Sequence, residues 1–389
     1  MMAPFTGHPY DLGIWMSTGS YIGIGKSPYD LHPHIGYPPL WALWCGVSYL
    51  IANFLLPENQ FAYIFTIKIP ILLADFAIVS LMLQVGLRNR KVTVARILAS
   101  LYLLNPYVLT VGVVWGMMDN IVAFLSIASI LAIERKAAWS GFYLALGFAL
   151  KFYPILFLPL ILASLMSCKR LQEFARCVTT FLATSLAFIW FPFLIFDWDP
   201  RSLMGVGLSQ ASRSPGAIAP VAVWTYLTDI GITSIGPISI ESIKSMEILR
   251  ILWIPALLLT LLLILKKHLS AVQSIIMYEC FLLYLIYLLT APWISEQLFE
   301  PALIFMLFQA VVTTRNRFSY TGYALGSAVV YVFLALHVPL TSFIFPLYNI
   351  EPTALVQLGK TYLPWLVLAF GSYLMVEIIK TVKLLEGFS

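Results

Sequence analysis

The chain has 389 residues, of which 60% are apolar and only 11% are charged. A soluble domain carries about 25% charged residues, so the deficit, together with 15% aromatic residues, excludes an ordinary soluble protein. The net charge of +5 gives no indication of nucleic-acid binding. Helices satisfy their own backbone groups in hydrocarbon, whereas open sheets cannot. We therefore predict an all-α, polytopic integral membrane protein, placed in the cell membrane as a multi-pass chain.

The chain opens on a polar stretch, which reads GHPYDLGIWMSTGSYIGIGKSPYDLHPHIGYPPLW over residues 7–41. We predict residues 1–38 to be an outer loop that carries the chemistry. No spanning helix precedes this loop, so either the terminus is exposed or a first helix is missing. His32 and His34 are two residues apart, but loop histidines seldom bind metal, and no metal site is predicted. The four cysteines lack metal-ligand spacing and are interpreted as structural.

Apolar runs follow, and we predict about 9–11 membrane helices or half-helices in one transmembrane domain. The runs are 40–56, 61–87, 97–115, 121–133, 139–165, 177–196, 246–265, 271–290, 298–312, 320–336 and 365–379. Proline interrupts two of them, after Asn105 and after Tyr153; the second is predicted to enter the membrane, turn near Lys151 and return. The domain divides into core helices over 39–196, an outer loop over 197–245 with an interfacial helix at 221–230, and C-terminal helices over 246–389, with a polar link at 338–364.

The positions of basic residues predict the sidedness of the loops, because cytoplasmic loops are rich in Lys and Arg. Basic clusters at 88–96, 134–136, 169–176, 266–268, 315–317 and 380–383 should be cytoplasmic. The links at 116–120, 197–220, 290–297 and 338–364, and the turn at Lys151, should then lie on the far side. Before Arg88 the alternation fails. An outer opening loop and a cytoplasmic Arg88 cluster need an odd number of crossings between them, but two apolar runs lie there. Either one run is re-entrant or the Arg88 cluster is not cytoplasmic.

Several ionisable residues are candidates for function. Lys151 lies within an apolar segment, where a charge costs about 2.5–3.5 kcal/mol on insertion scales; we expect a phosphate or carboxylate partner, the alternative being a lysine that reaches the interface. Asp119 either contacts a substrate hydroxyl or caps a helix that starts at Asn120. Lys68 and Asp75 share one helix face and are interpreted as a structural polar pair.

Polar residues on the predicted outer loops are the remaining candidates. Glu296 and Gln297 follow a proline at a helix junction and either contact substrate or face solvent. Arg201 and Arg213 suit a lipid phosphate, because the guanidinium fork matches phosphate oxygens. Surface arginines are nevertheless common on loops.

The order of several short motifs resembles the GT-C superfamily of polyprenyl-phosphate-sugar-dependent glycosyltransferases, most closely glycosyltransferase family 87, which comprises membrane mannosyltransferases. The resemblance covers about residues 8 to 170, and its motifs are Asp11, the GKSPY segment at 25–29, YPPL at 37–40, Asn105-Pro106, WGMMD at 115–119 and GFALKFYP at 147–154. The WGMMD motif is similar to the family pattern Trp-Gly-Gln-x-Asp, with Met117 in place of Gln. The GFALKFYP motif is similar to the family pattern Lys-x-x-Pro.

The resemblance implies an enzyme that moves one hexose, in this family mannose, from a polyprenyl phosphate to a hydroxyl group of a glycan, lipid or protein on the outer face. The family's catalytic acid in the first outer loop corresponds to Asp11. We predict donor or substrate binding by Lys26, Tyr37, Asp119, Lys151, Tyr153, Arg213, Glu296 and Gln297. No cofactor is predicted, and the sequence leaves a role for a divalent metal open. The lipid bilayer and the lipid-linked donor are the expected partners.

This chemistry is consistent with a single carboxylate. A glycosidase needs two carboxyl groups because its leaving alkoxide must be protonated. A phosphate leaves without protonation, so one carboxylate that takes the acceptor proton suffices. Attack from the face opposite the phosphate inverts the anomeric centre, and cations such as Lys26, Lys151 or Arg213 would stabilise the departing charge.

A different class of protein, a multi-pass transporter or lipid-linked sugar flippase, is the main alternative. It requires ionisable residues near mid-membrane and paired halves with internal symmetry. Lys68, Asp75 and Lys151 lie in the first half, but only Arg250 and Glu279 are counterparts in the second, and no repeat is visible. A non-catalytic scaffold subunit is disfavoured by the polar outer loops.

Overall fold

A computed structural model gives the fold and describes residues 3–31, 35–57, 59–267, 273–312, 317–337, 343 and 354–387. Helices dominate this part of the chain. The first half contains α1 (Pro9–Gly23), α2 (Pro28–Leu31), α3 (Pro39–Leu55), α4 (Gln60–Arg88), α5 (Val92–Leu103), α6 (Pro106–Val108), α7 (Asp119–Ala132), α8 (Ala137–Leu150), α9 (Leu158–Ser167), α10 (Leu171–Ser185) and α11 (Phe191–Ile195). Short 3-10 turns at Ala3–Phe5 and Tyr153–Phe157 and π-helical turns at Leu109–Trp115 and Leu186–Trp190 join them.

The second half begins with short outer elements and ends with long helices. The helices are α12 (Pro200–Ala211), α13 (Val223–Asp229), α14 (Ile240–Lys244), α15 (Ile248–Ile251), α16 (Trp253–Lys267), α17 (Gln273–Thr290), α18 (Glu300–Val312), α19 (Arg317–His337) and α20 (Ala354–Glu386), with 3-10 turns at Pro220–Ala222 and Glu296–Phe299. Four two-residue strands complete it, namely β1 (Gly216–Ala217), β2 (Ser234–Ile235), β3 (Ile238–Ser239) and β4 (Trp293–Ile294). β1 pairs with β4 in parallel, and β2 pairs with β3 antiparallel.

The helices confirm the predicted fold class. Within the described residues, three helical segments have the length and apolar composition needed to cross a bilayer, and they are Gln60–Arg88, Leu171–Ile195 and Thr361–Glu386. A fourth candidate is Val92–Leu103 with Pro106–Trp115, a pair bent by 47°. Seven shorter apolar helices pack among them. The bend falls at the predicted Asn105-Pro106 break, where the Asn105 side chain accepts from the backbone N–H of Tyr107 at 2.9 Å.

The opening stretch is not the loop that its polar composition predicted, because residues 9–23 form the helix α1. Proline at its first position and Gly25 in the left-handed region just beyond its end delimit the helix. Its small residues allow close packing on α3: a side chain at Gly19 would collide with the Cys45 carbonyl at 2.6 Å. Small residues at helix contacts are characteristic of membrane helices, so this polar composition serves packing.

Contacts between α1, α3 and α4 resolve the crossing count before Arg88. Trp15 meets Trp41 and Gly19 meets Cys45, so α1 and α3 run parallel. The Trp44 indole donates to the carbonyl of Ile67, and Tyr49 meets Tyr63, so α3 lies antiparallel beside only the first half of α4. α4 therefore supplies the single crossing that the charge pattern requires.

The predicted cytoplasmic clusters meet at one end of the bundle. Arg88 lies 3.7 Å from Glu134, and Arg170 donates to the carbonyl of Ile133 at 3.1 Å. Asn89, beside the first cluster, donates to the carbonyl of Val311 near the end of α18 at 3.4 Å. The clusters at 88–96, 134–136 and 169–176 therefore share a face, opposite the start of α7.

Two predicted links contain more helix than expected. Residues 197–220 include α12, which begins after the cap residue Asp199, whose side chain accepts from the backbone N–H of Arg201. The last helix begins at Ala354, inside the link predicted over 338–364, and Pro364 lies within it. Residues 338–342 and 344–353 of that link, Arg315, and the histidines His32 and His34 lie outside the described residues.

Candidate functional site

Asp11 lies in the first turn of α1. The indole N–H of Trp115 donates to its Oδ2 at 2.7 Å, and Nδ1 of His8 approaches the same oxygen at 3.1 Å. The rings of His8 and Trp115 also contact Phe343, at centroid distances of 5.5 and 5.4 Å. The Asp11 side chain remains 15% exposed, so its carboxylate is held in place and still accessible.

Trp115 reaches Asp11 because of the glycine that follows it. Gly116 has φ +93, a conformation in which other residues are strained. A Cβ at this position would also lie 2.8 Å from the Lys68 side chain. The Trp-Gly part of the WGMMD motif therefore has a structural basis: the glycine ends the π-helical turn and lets Trp115 lie over Asp11.

Lys68 holds together the two segments that carry Asp11 and Trp115. Its Nζ lies 2.6–3.2 Å from the carbonyl oxygens of Ala3, Thr6, Val113 and Val114 and from the Thr6 hydroxyl. Buried charged groups are tolerated where they are hydrogen-bonded in this way. The predicted pairing of Lys68 with Asp75 is wrong.

Asp75 has partners of its own. Its Oδ1 accepts from the Tyr102 hydroxyl at 2.6 Å and from the Asn120 side-chain amide at 2.8 Å. Two turns separate Lys68 from Asp75, so a shared helix face leaves about 10 Å between them along the axis. Each residue is fixed in a separate polar network of the core.

Lys151 and Asp119 form a buried ion pair. Nζ of Lys151 lies 2.7 and 2.8 Å from the two carboxylate oxygens of Asp119, whose side chain is fully buried. The helical hairpin of α7 and α8 produces this pair: Ser129 bonds to Ser140 near the turn, and the ends of the two helices meet at the open end. The structure thus supplies the carboxylate partner predicted for Lys151. Asp119 is the first residue of α7, and its side chain does not cap the helix.

Tyr37 connects the ion pair with Asp11. Nζ of Lys151 lies 5.9 Å from the centroid of the Tyr37 ring, and the Tyr29 hydroxyl donates to the Tyr37 carbonyl at 3.1 Å. Burial raises the pKa of the Tyr37 phenol well above its ordinary value, and the nearby carboxylates of Asp11 and Asp119 raise it further, opposed by Arg213. The phenol therefore remains protonated and lies within electrostatic range of all three residues.

Arg213 is held by an aromatic ring. Its guanidinium lies over Trp293 at 4.7 Å, a cation–π contact. The pairing of β1 with β4 sets this geometry, because Gly216 lies opposite Trp293 and a Cβ there would come within 2.2 Å of the indole ring. Within the described ranges no acidic partner of Arg213 is found, so its charge is available to a ligand.

The remaining predicted residues around the ion pair are buried. The Glu296 carbonyl accepts from the Tyr107 hydroxyl at 2.5 Å. The Tyr153 ring packs on Tyr284 at 4.9 Å, while its hydroxyl and Oε1 of Gln297 are buried without a hydrogen-bond partner in the described part of the chain. Such groups are uncommon in protein cores.

Glu300 was missed by the sequence reasoning. It begins α18, is completely buried, and neither of its carboxylate oxygens has a hydrogen-bond partner among the described residues. The charges of Asp75, Asp119 and Lys151 all act on it. The available signal was an acid between Phe299 and Pro301, inside the apolar run predicted over 298–312.

Two predicted cations lie apart from this cluster. Lys26 is exposed and contacts the Tyr21 ring, and the length of α1 places it about 20 Å from Asp11. The Arg201 side chain is 90% exposed and lies near Asp199 at 3.9 Å. Within the described ranges, no three His, Cys, Asp or Glu side chains are grouped closely enough to hold a metal ion.

Comparisons with known proteins agree with this architecture. The family model for GPI transamidase subunit PIG-U matches residues 38–203. GPI mannosyltransferase 1 of Eremothecium gossypii is 31% identical over 175 residues, which make up 45% of this chain and 41% of that protein. GPI mannosyltransferase 1 of Kluyveromyces lactis is 29% identical over 148 residues, or 38% of this chain and 34% of that protein. The chain thus spans about two fifths of the length of the curated relatives it matches.

The likeness to a solved structure covers nearly the whole chain. ArnT from Cupriavidus metallidurans, crystallised with undecaprenyl phosphate, aligns with 97% of this chain and 74% of its own, with a TM-score of 0.50 and 10% identity. At that identity the likeness shows the fold alone, a helical fold similar to that of ArnT. Together with the sequence relatives, it confirms the predicted resemblance to GT-C glycosyltransferases; nothing in the comparisons is specific to family 87.

Proposed function

We propose that this chain is a membrane glycosyltransferase that moves mannose from a polyprenyl phosphate to an acceptor hydroxyl on the outer face of a membrane. The observation that carries the proposal is the Asp11 carboxylate, which is oriented by Trp115 and His8 and remains partly open. The names of the yeast mannosyltransferase relatives support mannose as the sugar. The undecaprenyl phosphate bound to ArnT supports a lipid-linked donor.

In this proposal Asp11 is the general base. Within the described part of the chain, the contacts of its side chain with Trp115 and His8 both fall on Oδ2. Oδ1 is then the oxygen that takes the proton from the acceptor hydroxyl as that hydroxyl attacks the anomeric carbon. The bond between the sugar and the phosphate breaks as the new glycosidic bond forms, and attack opposite the phosphate inverts the anomeric centre. No second carboxylate is needed, because phosphate leaves without being protonated.

Arg213 is the residue that we assign to the donor phosphate. Its guanidinium is stacked on Trp293 and thereby pre-oriented, and its fork matches phosphate oxygens. Lys151 is less suited to this role, because Asp119 neutralises its charge with both carboxylate oxygens. We assign Lys151 and Asp119 to the wall of the site, where the pair supports the Tyr37 ring.

The membrane location follows from the donor. A polyprenyl tail is soluble only in the bilayer, so a protein that uses it must hold the phosphate near the interface while the tail stays in hydrocarbon. Our proposal places the chain in the cell membrane as a multi-pass protein, with a glycan, lipid or protein supplying the hydroxyl.

Reconstituted protein tests the proposal. The full chain in liposomes is supplied with polyprenyl-phosphate mannose or with a nucleotide-linked mannose, and membrane glycans are offered as acceptors. Transfer from the lipid-linked donor alone, and its loss in Asp11→Asn at unchanged protein level, is the expected result. Asp30→Asn, which removes an exposed acid from the same opening segment, is the matched control. Undiminished transfer by Asp11→Asn would show that Asp11 is not the general base. Transfer from the nucleotide-linked donor alone would show that the donor is not a polyprenyl phosphate.

A further inference from the structure

A second cavity lies among the short outer elements, separate from Asp11. It has a volume of about 180 Å³ and lies between residues 214–225 and 241–250. The half-buried Trp224 lines it together with three hydroxyl side chains, those of Ser214, Thr225 and Ser245. An indole ring beside several small hydroxyl groups offers one apolar surface and a hydrogen-bonding rim, the combination that ligand pockets use to orient a small molecule.

The cationic side chains that line the cavity are each paired with an acid. Lys244 and Arg250 line it, and each has an acidic neighbour one turn away: Nζ of Lys244 lies 3.4 Å from Glu241, and Arg250 lies 3.2 Å from Glu247. With its charges matched, the cavity lacks the excess of positive charge that a phosphate requires. It offers donors and acceptors side by side, which suits neighbouring hydroxyl groups that both donate and accept.

The cavity adjoins the Asp11 site through a short connection. Ser214 accepts a hydrogen bond from Arg250 at 3.4 Å and directly follows Arg213 in the sequence. Arg213 lies over Trp293, and the β1–β4 pairing fixes both segments. A molecule bound in the cavity would therefore lie beside the proposed phosphate site, on the same outer face.

We propose that this cavity binds a hexose ring of the acceptor glycan, with the apolar face of the ring on Trp224 and its hydroxyl groups on Arg250, Lys244 and Glu241. The inference rests on the proposed function for the identity of the glycan as acceptor. The binding of a sugar ring is independent of catalysis. Saccharide recognition here would hold the acceptor while one of its hydroxyl groups reaches Oδ1 of Asp11.

Direct binding is the first test. Purified full-length protein is titrated with methyl α-mannoside and, separately, with inorganic phosphate, and contact is followed by saturation-transfer NMR. We expect the saccharide to bind and Arg250→Ala and Trp224→Ala each to weaken it about tenfold. Arg201→Ala and Trp139→Ala, which alter exposed side chains outside the cavity, should leave binding unchanged. Failure of both cavity variants to weaken saccharide binding, or stronger binding of phosphate, would overturn the inference.

Transfer kinetics are the second test and separate the two proposals. In the cavity variants we expect the KM for the acceptor to rise about tenfold while the KM for the donor stays the same. If wild-type protein shows no transfer but the variants lose saccharide binding, the proposed function fails and the cavity assignment stands. If transfer is normal and neither variant changes the acceptor KM, the cavity assignment fails while the proposed function stands. Arg250→Gln, which preserves most of the side-chain volume, covers the case in which Trp224→Ala does not fold.

Discussion

The indole N–H of Trp115 reaches Oδ2 of Asp11 at 2.7 Å across 104 residues of sequence. A hydrogen bond to a charged group contributes about 1.5–3 kcal/mol, and here it also fixes which carboxylate oxygen is left for the acceptor. We predict that Trp115→Phe, which keeps the ring but removes the donor, lowers kcat about tenfold or more and leaves the donor KM nearly unchanged. Initial rates measured over a range of donor concentrations check this.

The matched control for that variant is Trp139→Phe on α8, an exposed indole far from Asp11. It should not change kcat. A Trp115→Phe enzyme with a normal kcat and a raised donor KM would mean that the indole contacts the donor and does not orient the base.

The buried pair of Lys151 and Asp119 gives a prediction about stability. Removing one partner leaves an uncompensated charge, which costs about 3–5 kcal/mol, whereas replacing both partners with apolar residues is often nearly neutral. We therefore expect Lys151→Met and Asp119→Leu each to lower the unfolding temperature of the purified protein strongly. The double variant should regain most of the loss.

Activity of that double variant decides the role of the pair. If Lys151 bound the donor phosphate, restored stability would not restore the donor KM. Our assignment of the pair to the wall of the site predicts a donor KM within about threefold of wild type. Thermal unfolding in detergent and donor titration on the same preparations provide both readouts.

Arg213 should determine affinity for the donor. We predict that Arg213→Lys, which keeps the charge but loses the guanidinium fork and its stacking on Trp293, raises the donor KM about tenfold, and that Arg213→Ala raises it further. Arg201→Ala is the control, because that side chain is 90% exposed and lies apart from Tyr37. An unchanged donor KM in Arg213→Ala would mean that another cation binds the donor phosphate.

The sequence predicted the helical class, the break at Asn105-Pro106 and a carboxylate partner for Lys151. It also contained the identity of that partner, because Asp119 and Lys151 are equidistant from Arg135 in the turn between α7 and α8. An antiparallel hairpin brings two such positions to the same level. The equal spacing can be found in the sequence. Because the sequence alone does not fix the position of the turn, however, other pairings of the two helices are equally compatible with it.

Other features could not be predicted from local sequence patterns. α1 lacks an apolar run, and its Gly19 packs closely against α3, a contact that is visible only when both helices are in place. The approach of Trp115 to Asp11 depends on Gly116 and Lys68, neither of which adjoins Asp11 in the sequence. Glu300 was missed because it was counted within the apolar run predicted over 298–312, and a run of that kind does not show which of its positions face the ion pair.

Lys68 yields the last prediction, which concerns the position of Asp11. Its Nζ contacts the carbonyls of Thr6 and Val114, which lie close in sequence to His8 and Trp115, the two residues that contact Asp11. We expect Lys68→Met to leave several carbonyl groups buried without donors, at a cost of about 1–3 kcal/mol for each, and to lower kcat more than it raises either KM. Gly116→Ala should act in the same direction, because its Cβ would lie 2.8 Å from the Lys68 side chain. Gly13→Ala, on the same helix as Asp11 and with open space around it, is the control. A Lys68→Met protein that folds with normal stability and keeps its kcat would show that Asp11 is positioned without the lysine.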